Sequence, residues 1–228
     1  MKKNVIIVAG GRGKRMQSEI PKQFLPLYGY PVLMHTLKKF YRYDNSIRII
    51  LVLPKRQIRV WKKFCRDYMF DYNHDIVQGG VTRFHSVKNG LSKIRGKDHL
   101  VAIHDGVRPL VSLETIRKCF KKAEISGNAI PVIDIPESIR KTENGKNQPV
   151  DRSKYKLIQT PQIFHFNMLF ESYKQEYKSE FTDDASVVES LGHSINLVQG
   201  NKENIKITIP ADLLIAESYL KSSQYYYI

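Results

Sequence analysis

Residues 4–11 read NVIIVAGG, an apolar run that ends in two glycines. A continuous apolar run of this length is typical of a parallel strand that helices cover on both faces. The run is too short for the hydrophobic region of a signal peptide, and charged residues follow it at once. We therefore predict that it is the first strand of an α/β sheet in a cytoplasmic protein.

Strand and helix patterns alternate along most of the remaining chain. Apolar strand patterns occur at 48–53, 75–77, 100–103, 129–133, 155–158, 195–198 and 205–207. Helical spacing occurs at 31–43, 54–68, 83–95, 112–126, 166–177, 184–191 and from 210 onward. This alternation predicts a doubly wound, mostly parallel sheet with helices on both faces. Ligands bind such sheets at the carboxyl ends of the strands, so we expect the chemistry in loops that follow strands.

Residues 134–153 interrupt the alternation. They show no helical period, and they contain Asn144-Gly145, a strong hairpin signal. We predict a two-stranded β-arm that protrudes from a single domain spanning residues 1–228, with a flexible linker as the alternative. An isolated hairpin is marginally stable in water, so the arm needs a partner surface, most simply a second subunit.

Composition narrows the function classes. The 228 residues are 42% hydrophobic and 26% charged, which excludes a disordered chain. No apolar run approaches the roughly 18 to 20 residues of a transmembrane helix. Lys and Arg number 37 against 22 Asp and Glu, giving a net charge of +15. This charge should attract polyanions, but it does not distinguish nucleic acid, a membrane surface and a small phosphate ester. No Cys/His cluster has zinc-ligand spacing.

The loop after the first strand, residues 9–16, combines three glycines with three basic residues. Glycines allow backbone N–H groups to approach anionic oxygens. The loop is neither a Walker A motif nor a dinucleotide fingerprint, because Arg15 follows Lys14 and Met16 stands at the third glycine position. We predict a different kind of phosphate-binding loop, and a tight turn with solvated charges is the alternative.

Later loops supply further candidates. Gly79-Gly80 could offer backbone carbonyls to a base, with the Ser86 hydroxyl one helical turn on; an ordinary strand-to-helix turn is the alternative. Asp105 follows a central strand, where metals and substrate hydroxyls are handled, although a helix cap or turn would use the same residue. We interpret the neighbouring His104 as structural. Lys206 lies in an apolar strand pattern, where a lysine is costly unless it meets an anion.

Seven short motifs occur in order along the chain. They are AGG-x-G-x-RM from 9, PKQF from 21, GG-x-x-R-x-x-S from 79, HDG-x-RP from 104, TPQ-x-F from 160, TDDAS from 182 and NIKIT from 204. Together they resemble the sugar-phosphate cytidylyltransferase family, and within it the methylerythritol-phosphate enzymes of non-mevalonate isoprenoid biosynthesis. The resemblance covers residues 4 to about 220.

The resemblance implies a reaction, a cofactor and site residues. CTP and 2-C-methyl-D-erythritol 4-phosphate would give the cytidine diphosphate alcohol and pyrophosphate, with Mg²⁺ held mainly by the CTP phosphates and Asp105 as a possible ligand. The residues implied in catalysis are Arg15, Lys22 and Lys206. Those implied in nucleotide binding are Ala9, Gly10, Gly11, Gly13, Lys14, Gly80, Ser86 and Gly106. Those implied in binding the alcohol phosphate are Asp105, Arg108, Arg152, Thr160 and Thr182. The arm would carry Arg152 to the second subunit of a homodimer.

Two alternative functions remain at this point. Ribitol-5-phosphate cytidylyltransferases of teichoic acid synthesis resemble the chain at the first loop and at PKQFLPL, whereas SVKNGL and TDDASVVESLG favour the erythritol enzyme. A basic, non-catalytic nucleic-acid-binding protein is more remote, because no nucleic-acid-binding signature occurs. We expect neither a nucleic-acid nor a membrane partner. Val81 stands where many family members carry an acidic ribose contact, so that contact must come from elsewhere.

Overall fold

The computed structural model describes residues 1–11, 14–16 and 18–222. The strands are β1 (Lys2–Val8), β2 (Pro26–Leu27), β3 (Tyr30–Pro31), β4 (Arg48–Leu53), β5 (Asp75–Gln78), β6 (His99–Asp105), β7 (Asn128–Asp134), β8 (Ile139–Glu143), β9 (Lys146–Val150), β10 (Lys156–Ile158), β11 (Gln162–His165) and β12 (Leu197–Gln199). The α-helices are α1 (Val32–Tyr43), α2 (Lys55–Asp67), α3 (Arg83–Leu91), α4 (Leu113–Ser126), α5 (Phe166–Ser172), α6 (Asp184–Glu189) and α7 (Pro210–Lys221).

An eight-stranded, mostly parallel sheet forms the centre of the fold. β1 lies between β4 and β6 and is parallel to both, and β5 adds to β4 in the same direction. β11 is antiparallel to β6 and β7, β10 is antiparallel to β7, and β12 is parallel to β7. The register sets Val8 opposite both Val52 and Asp105. The loop after β1 therefore starts level with the end of β6.

Helices cover both faces of the sheet. Val5 and Ile7 pack into a core with α1 and α4, whereas Ile6 packs with α3 on the opposite face. This alternation follows from the two-residue side-chain period of a strand, and it explains why β1 is apolar throughout. The doubly wound α/β prediction is confirmed. Among the described residues, no helix has the length and apolar character that crossing a bilayer requires.

Three predicted elements differ from the structure by more than two residues at one end, or altogether. Residues 205–207 are not a strand. The structure gives this segment a single backbone hydrogen bond to another segment, from the Ile207 N–H to the Val107 carbonyl at 2.9 Å. The predicted helices 83–95 and 166–177 end early, at Leu91 and Ser172, where the following turns are tighter than an α-helix. β11 was not predicted at all.

The predicted arm is a hairpin. β8 and β9 form a separate two-stranded antiparallel sheet, joined by Asn144 and Gly145 with φ of 49° and 76°. Positive φ at both turn residues is what an Asn-Gly hairpin turn requires. Most of its side chains are exposed. Its role in dimer formation stays a prediction.

Candidate active site

A cavity of about 450 Å³ opens at the carboxyl ends of the parallel strands. Its wall is formed by the loops after β1, β5 and β6, together with the 3₁₀ turn Lys22–Phe24 and the segment 206–208. The cavity lies where loops of an α/β sheet bind ligands. The predicted residues found in the wall are Ala9, Gly10, Gly11, Arg15, Lys22, Gly80, Ser86, Asp105 and Lys206.

The other predicted residues lie elsewhere. Arg108 and Thr160 are bonded to Asp105 but are not part of the wall. Thr182 is exposed before α6, and Arg152 is exposed at the base of the hairpin, where it donates to the Pro136 carbonyl. Gly106 packs beneath the first loop, since a Cβ there would lie 2.8 Å from the Ala9 Cβ. Gly13 and the Lys14 side chain lie outside the part that the structure describes.

The first loop rests on a buried glutamine that we did not predict. Gln23 Nε2 donates to the Ala9 carbonyl at 2.8 Å and to Gln57 Oε1 at 2.6 Å. The Ala9 N–H donates to the Val52 carbonyl at 3.0 Å. Only the second lone pair of the Ala9 carbonyl is therefore left for a ligand. Gln23 belongs to the PKQF motif, but nothing in the sequence indicated which carbonyl its side chain would contact.

The loop after β5 places a hydroxyl acceptor in the wall. Gly80 N–H donates to Ser86 Oγ at 3.1 Å, and Ser86 Oγ donates to the Thr82 carbonyl at 2.9 Å. Because the hydroxyl hydrogen is already used, Ser86 can offer a ligand only a lone pair. A Cβ on Gly80 would lie 2.4 Å from the His85 Cβ, so the loop needs glycine there.

Basic side chains form another part of the wall. Lys22 Nζ donates to the Ile207 carbonyl at 3.0 Å. Burial lowers the pKa of Lys22, and the positive charges of Lys206 and Arg15 lower it further, while Asp105 opposes them. A bound anion would relieve the repulsion between these cations, so the site is suited to an anionic ligand.

Asp105 is a buried carboxylate with three cationic side chains around it. Its Oδ2 lies 3.1 Å from Lys206 Nζ and 3.2 Å from Arg108 Nε, and its Oδ1 lies 3.9 Å from Arg83 Nε. Burial raises the pKa of Asp105, but the three cations outweigh burial and hold it well below its usual range. The carboxylate is thus ionised. Lys206 reaches it from an irregular segment rather than from the central strand that the sequence predicted.

Arg83 is a wall residue for which no role was predicted. Its guanidinium makes two bonds to the buried Asp184, of 2.8 and 2.6 Å, and the Tyr173 hydroxyl donates to the same carboxylate at 2.6 Å. A bidentate pair fixes the guanidinium plane. Both partners stand in quoted motifs, GG-x-x-R-x-x-S and TDDAS, but their pairing cannot be read from the sequence.

The family model of 2-C-methyl-D-erythritol 4-phosphate cytidylyltransferase (IspD) matches residues 4–222. The chain belongs to this family. It is 55% identical over 217 residues to the cytidylyltransferase of that name from Phocaeicola vulgatus, covering 95% of this chain and 99% of the relative. It is 52% identical over 220 residues to the one from Bacteroides thetaiotaomicron, covering 96% of this chain and all of that one.

Solved structures agree with the assignment to the cytidylyltransferase family. The fold matches the 4-diphosphocytidyl-2C-methyl-D-erythritol synthase of Anaerococcus prevotii with a TM-score of 0.82 and 28% identity, covering 96% of both chains. It matches the Thermus thermophilus cytidylyltransferase with a TM-score of 0.77 and 30% identity, covering 96% of this chain and 98% of that one. Members of this family are nucleotidyltransferases, and the comparisons favour neither the ribitol-phosphate enzyme nor a nucleic-acid-binding protein.

Proposed function

We propose that this chain transfers a cytidylyl group from CTP to 2-C-methyl-D-erythritol 4-phosphate and releases pyrophosphate. The observation that carries the proposal is the cavity wall, which joins two glycine loops to the side chains of Arg15, Lys22 and Lys206. The family match names the same reaction. A polyphosphate fits a wall with this excess of positive charge.

The reaction needs no nucleophile from the protein. A phosphate oxygen of the alcohol attacks the α-phosphorus of CTP in line, the bond to the β-phosphate oxygen breaks, and pyrophosphate leaves. Negative charge shifts during this exchange, and Arg15 and Lys22 neutralise it. The bond from Lys22 to the Ile207 carbonyl holds the ammonium in place beforehand. Catalysis is then positioning and electrostatic stabilisation.

Recognition of cytosine rests on the loop after β5 and on the first loop. The 4-amino group of cytosine is a donor, and the free lone pairs of Ser86 Oγ and the Ala9 carbonyl are acceptors. Uracil would turn an oxygen toward them instead. The proposed nucleotide site also includes Gly10, Gly11, Gly106 and the glycine and lysine at positions 13 and 14.

We assign the alcohol phosphate to the side of the cavity where Asp105 and Lys206 line the wall, with Arg108 hydrogen-bonded to Asp105. The ionised Asp105 accepts hydrogen bonds from the alcohol hydroxyls, and Lys206 holds the attacking phosphate. We assign Thr182, which precedes the capping box of α6, to binding of this substrate, as the family resemblance implies.

Mg²⁺ fits the donor set if the nucleotide supplies most of its ligands. Within the described residues, no group of three His, Cys, Asp or Glu side chains is arranged to hold a metal, and Asp105 is the only carboxylate there that lines the cavity. Mg²⁺ is commonly bound by substrate phosphates with one or two carboxylates. When bound, it would neutralise phosphate charge.

We further propose that two subunits share each site through the arm. The arm is exposed, and beside it Tyr155, Leu157 and Ile158 are each about half exposed, at 47%, 47% and 49%. A partner would cover this apolar surface and bring Arg152 to the alcohol phosphate of the neighbouring site.

Free Cys65 and Cys119 fit a reducing cytoplasm, where we place the enzyme.

Subunit mixing tests the shared site. Arg152→Ala and Lys22→Ala, each nearly inactive alone, are mixed and allowed to exchange subunits. If the arm crosses, a heterodimer has one intact site, and its activity rises toward half of the wild-type value. Absence of recovery after proven exchange contradicts the shared site.

Substrate choice is tested by pyrophosphate release. The enzyme is given CTP with 2-C-methyl-D-erythritol 4-phosphate or with ribitol 5-phosphate, in parallel. We expect kcat/KM to favour the erythritol substrate. Equal or better turnover of ribitol phosphate would contradict the proposed function.

A further inference from the structure

The hydroxyl of Thr160 is enclosed behind the cavity. Thr160 is 5% exposed, and the Asp105 N–H donates to its Oγ1 at 3.1 Å. The same oxygen lies 2.9 Å from His104 Nδ1, and the other ring nitrogen, His104 Nε2, lies 3.1 Å from the Arg108 carbonyl. His104 itself is fully buried.

These contacts fix the direction of every hydrogen bond. A carbonyl only accepts, so His104 Nε2 must carry the hydrogen. In the neutral ring Nδ1 is then an acceptor, and Thr160 donates to it. The chain of donation runs from Asp105 N–H to Thr160, from Thr160 to His104, and from His104 to the Arg108 carbonyl. The Thr160 hydrogen is therefore not available to a substrate.

A buried asparagine ties the same turn to the Arg108 side chain. Asn204 Nδ2 donates to the Thr160 carbonyl at 2.8 Å, and the Asn204 carbonyl accepts from Arg108 Nη1 at 2.7 Å. Asn204 is fully buried and lies two residues before Lys206. The segment that carries Lys206 is thereby anchored to the turn at Thr160.

We propose that His104, Thr160 and Asn204 form a buried relay that positions Asp105 and Arg108 for the alcohol phosphate. None of the three side chains lines the cavity. They are positioning residues that act from behind the wall, and the role this assigns to Thr160 is support of Asp105 rather than donation of a hydrogen bond to the substrate. The inference rests on the proposed function of this site.

Kinetics of Thr160→Val test the relay. Valine keeps the shape of threonine but removes both bonds of the hydroxyl. We expect KM for the alcohol phosphate to rise on the order of tenfold, because the Asp105 N–H loses its buried partner, while KM for CTP changes little. Thr115→Val is the matched control, since Thr115 is also buried and hydrogen-bonded but lies outside the cavity wall, in α4.

A double-mutant cycle separates the relay from direct substrate contact. His104→Phe removes the acceptor for Thr160 and the donor to Arg108. If Thr160 acts through His104, Thr160→Val adds little in the His104→Phe background. Fully additive losses in kcat/KM would show that Thr160 contacts the substrate itself and would overturn the relay.

His104 variants separate the two ends of the relay. His104→Asn can present an oxygen near the Nδ1 position, and His104→Gln can present an N–H near the Nε2 position. Each should recover part of the activity lost in His104→Phe. If neither recovers any activity although both fold, as judged by circular dichroism, the relay is wrong.

A spectroscopic readout is independent of turnover. Nitrogen-15 spectra of the histidine rings should show His104 as the Nε2–H tautomer, with an Nδ1 shift that changes in Thr160→Val. The Nδ1–H tautomer would overturn the relay even in an active enzyme. Conversely, the expected tautomer in an enzyme without cytidylyltransferase activity would leave the relay standing and overturn the proposed function.

Discussion

A methyl group added at Gly80 has no room in the loop that follows β5. The new Cβ would lie 2.4 Å from the His85 Cβ and 3.0 Å from the His85 carbonyl carbon. Both atoms belong to the first turn of α3, so they cannot swing aside as the end of a long side chain can. Carbon atoms in ordinary contact are about 3.5–4 Å apart, so the loop in Gly80→Ala must move by roughly 1 Å.

That movement acts on the proposed base site. Gly80 N–H loses its alignment with Ser86 Oγ, now at 3.1 Å, and the Ser86 lone pair turns away from cytosine. Overpacking costs about 1–3 kcal/mol. At about 1.4 kcal/mol for each factor of ten, this corresponds to roughly a 5- to 150-fold loss in kcat/KM for CTP, if the strain is relieved on the ligand side.

The assay is initial-rate pyrophosphate release at varied CTP, with a thermal melt of each variant to detect general unfolding. Gly10→Ala provides the paired comparison in the same cavity. Its Cβ would come no closer than 3.9 Å to Pro54, an ordinary contact, so we expect an unchanged melting temperature; its kcat/KM for CTP is no control, because Gly10 belongs to the proposed nucleotide site.

A melting temperature lowered equally in the two alanine variants would refute the steric argument. So would a Gly80→Ala enzyme with wild-type kcat/KM for CTP and an unchanged melting temperature, since the loop would then tolerate the methyl group.

Three further predictions concern the cationic side chains of the site, the stereochemistry of the reaction and the pH dependence of stability. Arg15→Met and Lys22→Met should lower kcat roughly a hundredfold to a thousandfold with a smaller effect on KM for CTP, and a change in KM alone would limit both residues to binding. CTP with a chiral α-thiophosphate should react with inversion at phosphorus, as a single in-line displacement requires, whereas retention would reveal a covalent enzyme intermediate. Burial lowers the pKa of His35 from 6.5 to about 4, so the unfolded chain binds this proton at a higher pH than the folded protein does. The free energy of unfolding in urea should therefore rise from pH 4 to 6.5, by up to about 1.4 kcal/mol per pH unit from this group. His35→Gln should flatten the rise.

The parts of the fold that the sequence predicted are those with local causes. α4 begins and ends where predicted, because Ser112 Oγ accepts from the Thr115 N–H at 3.0 Å and Gly127 adopts a φ of 85°. The strand 48–53 was predicted to the residue, since a buried parallel strand is apolar throughout. Both signals lie within the element itself.

The elements that failed depend on distant partners. β11 is a strand because β6 and β7 pair with it from positions about 30 to 60 residues away. The segment was not recognised in the sequence because it begins with the polar Gln162, directly after Pro161. Residues 205–207 have the right alternation, but Asn204 and Ile207 are buried against loops rather than against a strand edge.

The same distinction holds for the site. Convergence of the loops at Gly10, Gly80 and Asp105 follows from strand order, so most of the wall could be predicted. The bond between Arg83 and Asp184 joins residues 101 positions apart, and the relay behind Asp105 joins three segments of the chain. Side-chain pairing of this kind requires coordinates.

Phosphorus-31 NMR of the reaction mixture tests most directly whether the enzyme joins the two substrates. CTP, 2-C-methyl-D-erythritol 4-phosphate, Mg²⁺ and enzyme are combined, and the alcohol phosphate is followed over time. We expect its phosphomonoester signal to disappear while two mutually coupled diphosphate signals and free pyrophosphate grow in equal amounts. An unchanged phosphomonoester signal, with or without hydrolysis of CTP, would contradict it.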